Sequence, residues 1–395
     1  MSAVKSGPLN GVTVIDLTRV LAGPYCTLMM AELGARVIKV EDPDKGDDAR
    51  AFAPIVQGRP LYFASVNRNK ESVALDLKDP VDRDLFEQML EQADVLTENF
   101  RPGVMEKLGY SWEALHSRFP RLIYTSISGY GHTGPAFDKP AYDMVIQAAS
   151  GLMSITGEDG GAPCRAGISL ADAGAGLFAA IAVNAALLHR ERTGESTKID
   201  MSMFDCMLMM LENPLSRYLM TGTVGTRMGS AHPGIMPFEA FATSDGYLTI
   251  ACANDKFFVT LCNALDRPDL AADPRYASNV LRVEHRPQLK AELELSLRKQ
   301  TTDHWVEYFQ QLGVPASPIN TIDQAVAHPQ VAARNMVVEA MDPVLGPLRM
   351  VGSPFKMSAF EDPHERRIGP DLDQDRKQVF ADLGVVEGRV KRSKP

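Results

Sequence analysis

The chain has 395 residues, more than one ordinary hydrophobic core organises, so two domains or a large domain with a smaller satellite are expected. Its 41 lysines and arginines stand against 50 aspartates and glutamates, a formal charge of -9 that speaks against broad binding to nucleic acid or to an anionic membrane. Five cysteines, Cys26, Cys164, Cys206, Cys252 and Cys262, form no C-x-x-C pair and have no histidine at metal spacing, and the stretch Met1–Gly7 has neither an apolar signal core nor an arginine-rich presequence; a reducing, cytoplasmic setting without a metal site is expected.

In chain order, extended apolar runs alternate with helical patterns. Strands are predicted at 12–17, 36–40, 72–77, 94–97 and 122–127, with helices at 24–33 and 80–92, an order that implies βαβ units and a mostly parallel sheet. A short strand at 197–201 precedes a methionine-rich helix at 204–220, whose methionines read as core filling. A polar, glycine-rich passage from Thr221 to Pro237 then leads into a hairpin, 238–242 and 247–251, turned at Ser244-Asp245-Gly246, which marks a second domain. Helices are predicted next at 256–265, 286–297 and 302–312, then extended, proline-punctuated segments to Pro354 and a charged, frayed tail from Val386. No internal repeat is present.

Between Gly167 and Leu188 there is a single ionisable side chain, Asp172. The residues after it, 177–188, are apolar on nearly every face and read as a core helix, closed by His189, Arg190, Arg192 and a left-handed Gly194. The run approaches the length of a membrane span, but its alanine and glycine content, with Asp172 and Asn184, favours a core helix. Two readings of Asp172 are open. It is an N-cap of that helix, or, because Ala173-Gly174-Ala175-Gly176 leave the carboxylate unshielded and the backbone approachable by another molecule, it is a nucleophile.

Several familiar patterns fail on inspection. Gly129-Tyr130-Gly131-His132-Thr133-Gly134 is a literal G-x-G-x-x-G after a strand, but Pro135 and Pro140 stand where a helix must open, and the motif is not in the first βαβ unit; a glycine-rich substrate loop is the better reading. Asp371-Leu372-Asp373-Gln374-Asp375 opens like a calcium loop, yet Arg376 stands where glycine is needed, so a solvated acidic face is expected. Neither G-x-S-x-G nor a P-loop is present. Basic residues recur at strand ends, Asn67-Arg68-Asn69-Lys70 and Asn99-Phe100-Arg101-Pro102-Gly103 with Lys107 beyond, where an open α/β sheet binds ligands. Each cluster alone also reads as a solvated surface.

These segments, in this order, resemble the class III CoA-transferases, the CaiB/BaiF type, whose relatives include the α-methylacyl-CoA racemases. The resemblance runs over nearly the whole chain: Pro8-Leu9-Asn10-Gly11-Val12, Asp16-Leu17-Thr18-Arg19-Val20-Leu21-Ala22-Gly23-Pro24, 34–41, Gly46-Asp47-Asp48-Ala49-Arg50, 67–70, 98–103, 128–131 and Tyr142-Asp143. It implies an α/β fold with a Rossmann-like large domain built from both chain ends, a smaller α+β domain, and an interlocked homodimer. The boundaries it implies are 1–200 for the first part of the large domain, 201–225 as a linker helix, 226–325 for the small domain and 326–395 for the return.

The resemblance places the catalytic aspartate on Asp172 and CoA contacts on Val20, Leu21, Ala22, Asn67, Arg68, Asn69, Lys70, Asn99, Phe100, Arg101, Lys107 and Tyr142, with Arg68, Lys70, Arg101 or Lys107 meeting phosphates. Gly129 and Gly131 would form a substrate loop, and His232 either faces the acyl group or is solvated. Coenzyme A is then a substrate, with no permanently bound cofactor; the partners are an acyl-CoA and a small carboxylic acid. The stretches at 46–50, 66–70 and 229–237 look most like the branch that uses succinyl-CoA and short dicarboxylates, and the glycine-run loop of the formyl/oxalate branch is missing. Racemases carry Gly-His-Asp where Ala141-Tyr142-Asp143 stands, so one base of their pair is absent. A non-catalytic acyl-CoA-binding protein is the remaining alternative. Two departures from the family pattern stand out: Asp42 where an adenine-side arginine is usual, and Asp373-Gln374-Asp375-Arg376 in place of Gly-x-His-Thr.

Overall fold

The computed structural model describes residues 7–388. The N-terminal stretch read for targeting signals and most of the tail beyond Val386 lie outside them. The chain divides into two compact units. The first comprises the described residues up to 153, with 165–224 and those from 329 onward; the second comprises 154–164 and 225–328.

The first unit is organised by a six-stranded sheet of β1 (Thr13–Asp16), β2 (Arg36–Glu41), β3 (Glu71–Ala74), β4 (Val95–Glu98), β5 (Ile123–Ser128) and β6 (Lys198–Ser202). All neighbours are parallel and the order is β3-β2-β1-β4-β5-β6. Both faces are covered. Ile15, Ile38, Leu96 and Tyr124 pack with Phe86, Met89 and Phe380 on one side, while Val14, Val37, Val95 and Ile123 pack with Met30, Val183 and Leu187 on the other. Double coverage explains why the strands read as continuous apolar runs rather than as an alternation.

Five helices of this unit are α1 (Ala22–Glu32), α2 (Leu61–Val66), α3 (Pro80–Leu90), α4 (Asp143–Ala149) and α5 (Leu170–Thr193). In α3, the Asp79 side chain accepts from the amides of Val81 and Asp82 ahead of Pro80, a cap that the sequence announces. Gly194 closes α5 at φ 81°, as its position predicts.

Several expectations change. The methionine-rich helix is two, α6 (Met203–Met210) and a second at Glu212–Thr221, because Pro214 cannot extend the preceding turn. Met203 and Met207 are buried, but Met209 and Met220 are 71% and 83% exposed, so core filling accounts for only part of the stripe. The expected linker helix, 201–225, is thus two helices that group with the first unit up to Val224, the second with no buried residue; residues 154–164 leave the first 200 to join the second unit. Helices Ile322–Ala327 and Pro329–Ala333 interrupt the extended return; the first opens on a capping box of Thr321 and Gln324. Val337–Asp342 and Gly346–Val351 then form an antiparallel pair.

The acidic run near the C-terminus is not a solvated face. Asp373 Oδ1 accepts the Ala74 amide at 2.7 Å and Asp375 Oδ2 the Ser72 amide at 2.9 Å, while Arg376 donates to the Ala74 carbonyl at 2.7 Å. These side chains close the open edge of β3, and helix Arg376–Leu383 then buries Val379 and Phe380 against the sheet. The altered C-terminal motif is thus an edge cap.

The second unit carries a three-stranded antiparallel sheet, with Tyr247–Ala251 between Phe238–Ala242 and Ala316–Pro318. Helices Asp255–Ala264, Arg286–Leu297 and Thr302–Gln311 supply a core of Phe258, Leu261, Leu289, Leu293, Trp305 and Phe309 with Phe241 and Leu248. Arg282 is buried in it, bonded to the carbonyls of Met236 and Tyr276 and to Asp255.

Candidate functional site

Sheet order reverses between β1 and β4, and in open α/β sheets the crevice beyond the carboxyl ends at such a reversal takes the ligand. Two predicted segments leave the sheet there, residues 17–22 from β1 and 99–101 from β4. They are tied together: the Arg19 amide donates to Asn99 Oδ1 at 2.7 Å, and Asn99 Nδ2 donates to the Arg19 carbonyl at 2.8 Å. The Arg19 guanidinium lies 5.1 Å from the centre of the Phe100 ring.

Beneath the first segment lies a buried charge network. Asp16 accepts from Thr18 and Thr27 and pairs with Lys70 at 3.0 Å. Burial alone would raise the Asp16 carboxyl, but Lys70 and then Lys39 outweigh it and hold the group well below the usual carboxylate range. Lys39 pairs with Asp47 at 2.8 Å and donates to the Thr18 carbonyl at 2.6 Å. Asp47 in turn accepts the amides of Val20 and Ala49, both at 2.9 Å. Arg50 clasps Glu41 through two bonds of 2.7 Å and lies 3.7 Å from the centre of the Phe63 ring.

This network removes two of the predicted phosphate cations. Lys70 is fully buried and its ammonium already meets Asp16, Pro24, Thr27 and Asn67 within 3.0 Å. Arg68 is buried against Glu32 at 2.8 Å and the Ser65 carbonyl. Asn67 is buried, and Asn69, at φ 63°, bonds Glu32 and the Arg367 amide. The whole 67–70 stretch is scaffold. Arg101 and Lys107 are exposed and, among the described residues, have no ion-pair partner. Asp42 accepts the amides of Asp44 and Lys45 and shapes the turn after β2.

Asp172 is the third residue of α5, not its cap. Ser169 occupies the cap position, and the first-turn amide of Ala171 donates to Asp143 Oδ1 at 2.8 Å, so the capping carboxylate comes from α4. Asp143 is itself fixed by Gln147 at 2.7 Å, which also bonds the Ile168 carbonyl and the Ala166 amide. Asp172, partly buried, accepts no hydrogen bond among the described residues. Burial, and then the neighbouring Asp143 carboxylate, push its pKa up to about 7. The Tyr62 phenol on α2 is also raised, by burial and then by the charge of Asp172, which marks it as a neighbour of the carboxylate.

The glycines after Asp172 serve packing rather than approach by a ligand. A Cβ on Gly176 would stand 2.7 Å from the Ala22 carbonyl, so this glycine lets α1 lie against α5; a Cβ on Gly174 would meet Met210 Sδ at 2.6 Å. Close crossing sets Ala22, the first residue of α1, against Gly176, which lies one helical turn along α5 from Asp172.

The glycine-rich loop comes directly after β5. Gly131 is left-handed at φ 79°, and Gly129 faces Ala141 so closely that a Cβ would sit 2.3 Å from the alanine's. The loop is anchored by Phe204 donating to the Gly129 carbonyl and by the His132 amide donating to Asp200. The His132 imidazole lies 2.7 Å from Ser126 Oγ and 3.4 Å from Lys198 Nζ; burial, then Lys198, lower its pKa. Tyr142 stands 74% exposed just before α4. His232 belongs to the second unit, where its Nδ1 accepts the Gly234 amide at 3.1 Å and its carbonyl accepts from Arg286.

The structure thus gathers Val20, Leu21, Ala22, Asn99, Phe100, Arg101, Gly129, Gly131, Tyr142 and Asp172 at the carboxyl edge of one sheet. It adds Asp143, Asp47 and Tyr62, to which the sequence reading gives no role. Tyr142 enters that reading as a CoA contact but Asp143 only as part of a motif, although an aspartate opening a short helix upstream of a capless one is a recognisable signal.

Residues 9–376 match the model of CoA-transferase family III. The chain is 46% identical over 388 residues to an acetyl-CoA:oxalate CoA-transferase of Acetobacter aceti, covering 98% of both chains. It is 41% identical to a succinate–glutarate CoA-transferase of Agrobacterium fabrum, covering 96% of each. A crystal structure of a CAIB/BAIF family protein from Brucella suis superposes with a TM-score of 0.85 at 39% identity, covering 95% of this chain and 99% of that one. The parallel sheet with its switch-point loops and the near-complete alignment agree, and the chain belongs to CoA-transferase family III as a CoA-transferase.

Proposed function

We propose that the protein moves CoA from an acyl-CoA to a short dicarboxylic acid through covalent intermediates on Asp172. The observation that carries this reading is the carboxylate of Asp172, which has no hydrogen-bond or ion-pair partner among the described residues and sits a turn along α5 from the contact with the α1 start that opens the switch-point crevice. An Asp172 oxygen attacks the thioester carbonyl, the C–S bond breaks, and a mixed anhydride and CoA thiolate result. The thiolate attacks the aspartyl carbonyl and releases the donor carboxylate, leaving an aspartyl-CoA thioester. An acceptor carboxylate oxygen attacks that thioester, forming a second anhydride. The returning thiolate then takes the acceptor's acyl group and restores Asp172. Backbone amides of the Gly129–Gly131 loop stabilise the oxyanions. Arg101 and Lys107 supply the charge for CoA's phosphates.

The acceptor class rests on the relatives, whose names join oxalate or glutarate to acetyl-CoA or succinyl-CoA. In this reading the donor is succinyl-CoA and the acceptor a dicarboxylate, with oxalate and acetyl-CoA as further members of the panel that tests it. His132 does not serve as a racemase base, since its imidazole is held by Ser126 and Lys198. An interlocked homodimer is part of the proposal. It is supported by the apolar stripe Leu177, Ile181, Ala185 and Leu188 that α5 leaves exposed. A cytoplasmic location is part of the proposal, supported by five unpaired cysteines.

Purified protein, offered succinyl-CoA and acetyl-CoA with oxalate, glutarate and longer diacids, is expected to form the acceptor's CoA ester, read by mass spectrometry. D172A should abolish transfer and the CoA adduct on the Asp172 peptide. Retained transfer in D172A, or α-proton exchange from deuterated water in its place, overturns the mechanism.

A further inference from the structure

Val20, the first residue of the crevice-facing turn, has φ 67°. A β-branched side chain crowds the backbone there, and such a conformation persists only when the surroundings over-determine it. The surroundings do so at each preceding backbone group. The Thr18 amide is held by Asp16 at 2.8 Å and its carbonyl by Lys39. Asn99 takes both the amide and the carbonyl of Arg19, and Asp47 takes the amide of Val20. Asp47 and Lys39 are fully buried as side chains and paired to each other, so the acceptor for Val20 cannot swing away without stranding a charge.

From this geometry we infer that Asp47, backed by Lys39, is a positioning residue for acyl-CoA binding: it locks Val20 in the left-handed conformation and thereby presets the Leu21-Ala22 backbone at the start of α1. The inference rests on the reading that acyl-CoA occupies the switch-point crevice. A preset turn has already lost its conformational freedom before the ligand arrives, so the ligand does not have to order it. Asp47 touches no reacting atom. Its effect therefore falls on acyl-CoA affinity rather than on the chemical steps.

The test is steady-state kinetics on the full-length protein with succinyl-CoA and glutarate, or with whichever pair the acceptor panel identifies. D47A, which removes the acceptor for the Val20 amide, is expected to raise the KM for acyl-CoA about tenfold, with kcat and the acceptor KM within about twofold. Introducing V20G into D47A should return part of the lost affinity, because glycine adopts positive φ without strain. A structural defect alone would lower kcat with the folded fraction and would not be rescued by glycine. Should D47A not accumulate as folded protein, the D47A/K39M pair, which removes both buried charges together, is read in its place, with and without V20G. An unchanged acyl-CoA KM, or a raised one that V20G leaves untouched, overturns the inference. R101A separates the two levels: if it raises the acyl-CoA KM while D47A does not, the crevice reading stands and only the role of Asp47 falls.

Discussion

An unpartnered carboxylate with a raised pKa stores a pH-dependent instability, and D172N should release it. In the unfolded chain the group titrates at its ordinary value of 3.8; in the folded protein it is pushed to about 7. The folded state therefore holds the proton more tightly, and the associated stability is present at acid pH and lost as pH rises through 7. Roughly three pKa units correspond to about 4 kcal/mol for a wholly enclosed group, and about 60% of that falls between pH 5 and pH 8. Access of water to the partly exposed carboxylate brings the readable difference to about 1.5 kcal/mol. Asparagine keeps the shape without the charge. Urea unfolding of substrate-free protein at pH 5 and pH 8 should show wild type losing about 1.5 kcal/mol more than D172N across that interval. Other titrating groups cancel in the comparison. Parallel pH profiles, or a D172N variant less stable than wild type at pH 8, would refute the account of the site as a destabilised nucleophile.

Removing the second carboxylate should tune the first: D143N keeps an oxygen for the Ala171 amide but removes the neighbouring charge, so the acid limb of the kcat profile should move to lower pH, and an unmoved limb counts against the coupling. K70M should destabilise the fold by about 3–5 kcal/mol in urea, because Asp16 is left charged and buried; a loss below about 1 kcal/mol would show that Lys70 is not structural. The two glycines of α5 should behave differently on thermal unfolding. G176A drives a methyl into the Ala22 carbonyl and should lower stability by about 1–3 kcal/mol, whereas G174A meets only the flexible end of Met210 and should be near neutral. Equal effects would mean that close packing of α1 is not what Gly176 provides.

Much of the fold is legible in the chain. Periodicity and turn residues locate every strand of the parallel sheet to within a few residues, because a strand buried on both faces leaves an uninterrupted apolar run between breakers. The hairpin of the second unit falls where its aspartate–glycine turn announces it. What misleads is charge. A lysine at a strand end looks the same in sequence whether it points at a ligand or at a buried aspartate 54 positions away, and Lys70 pairs with Asp16. Asp172 resembles a cap because caps are usually local, whereas its helix borrows Asp143 from 28 residues upstream of Ala171. Gly174 and Gly176 suggest open backbone, but the space is already taken by Met210 and α1. In each case the deciding partner lies far along the chain, where local pattern carries no information.

The C-terminal edge cap has a consequence for how this protein is made. Strand β3 leaves the ribosome well before Asp373 and Asp375, which satisfy its outer amides and are joined to the chain about 300 residues later. Until then the growing polypeptide presents an unpaired strand edge to every neighbouring nascent chain, a template for misassembly. A chain cut before Asp373 is expected to keep that edge open and to misassemble, because the groups that seal β3 are about 300 residues from it in sequence.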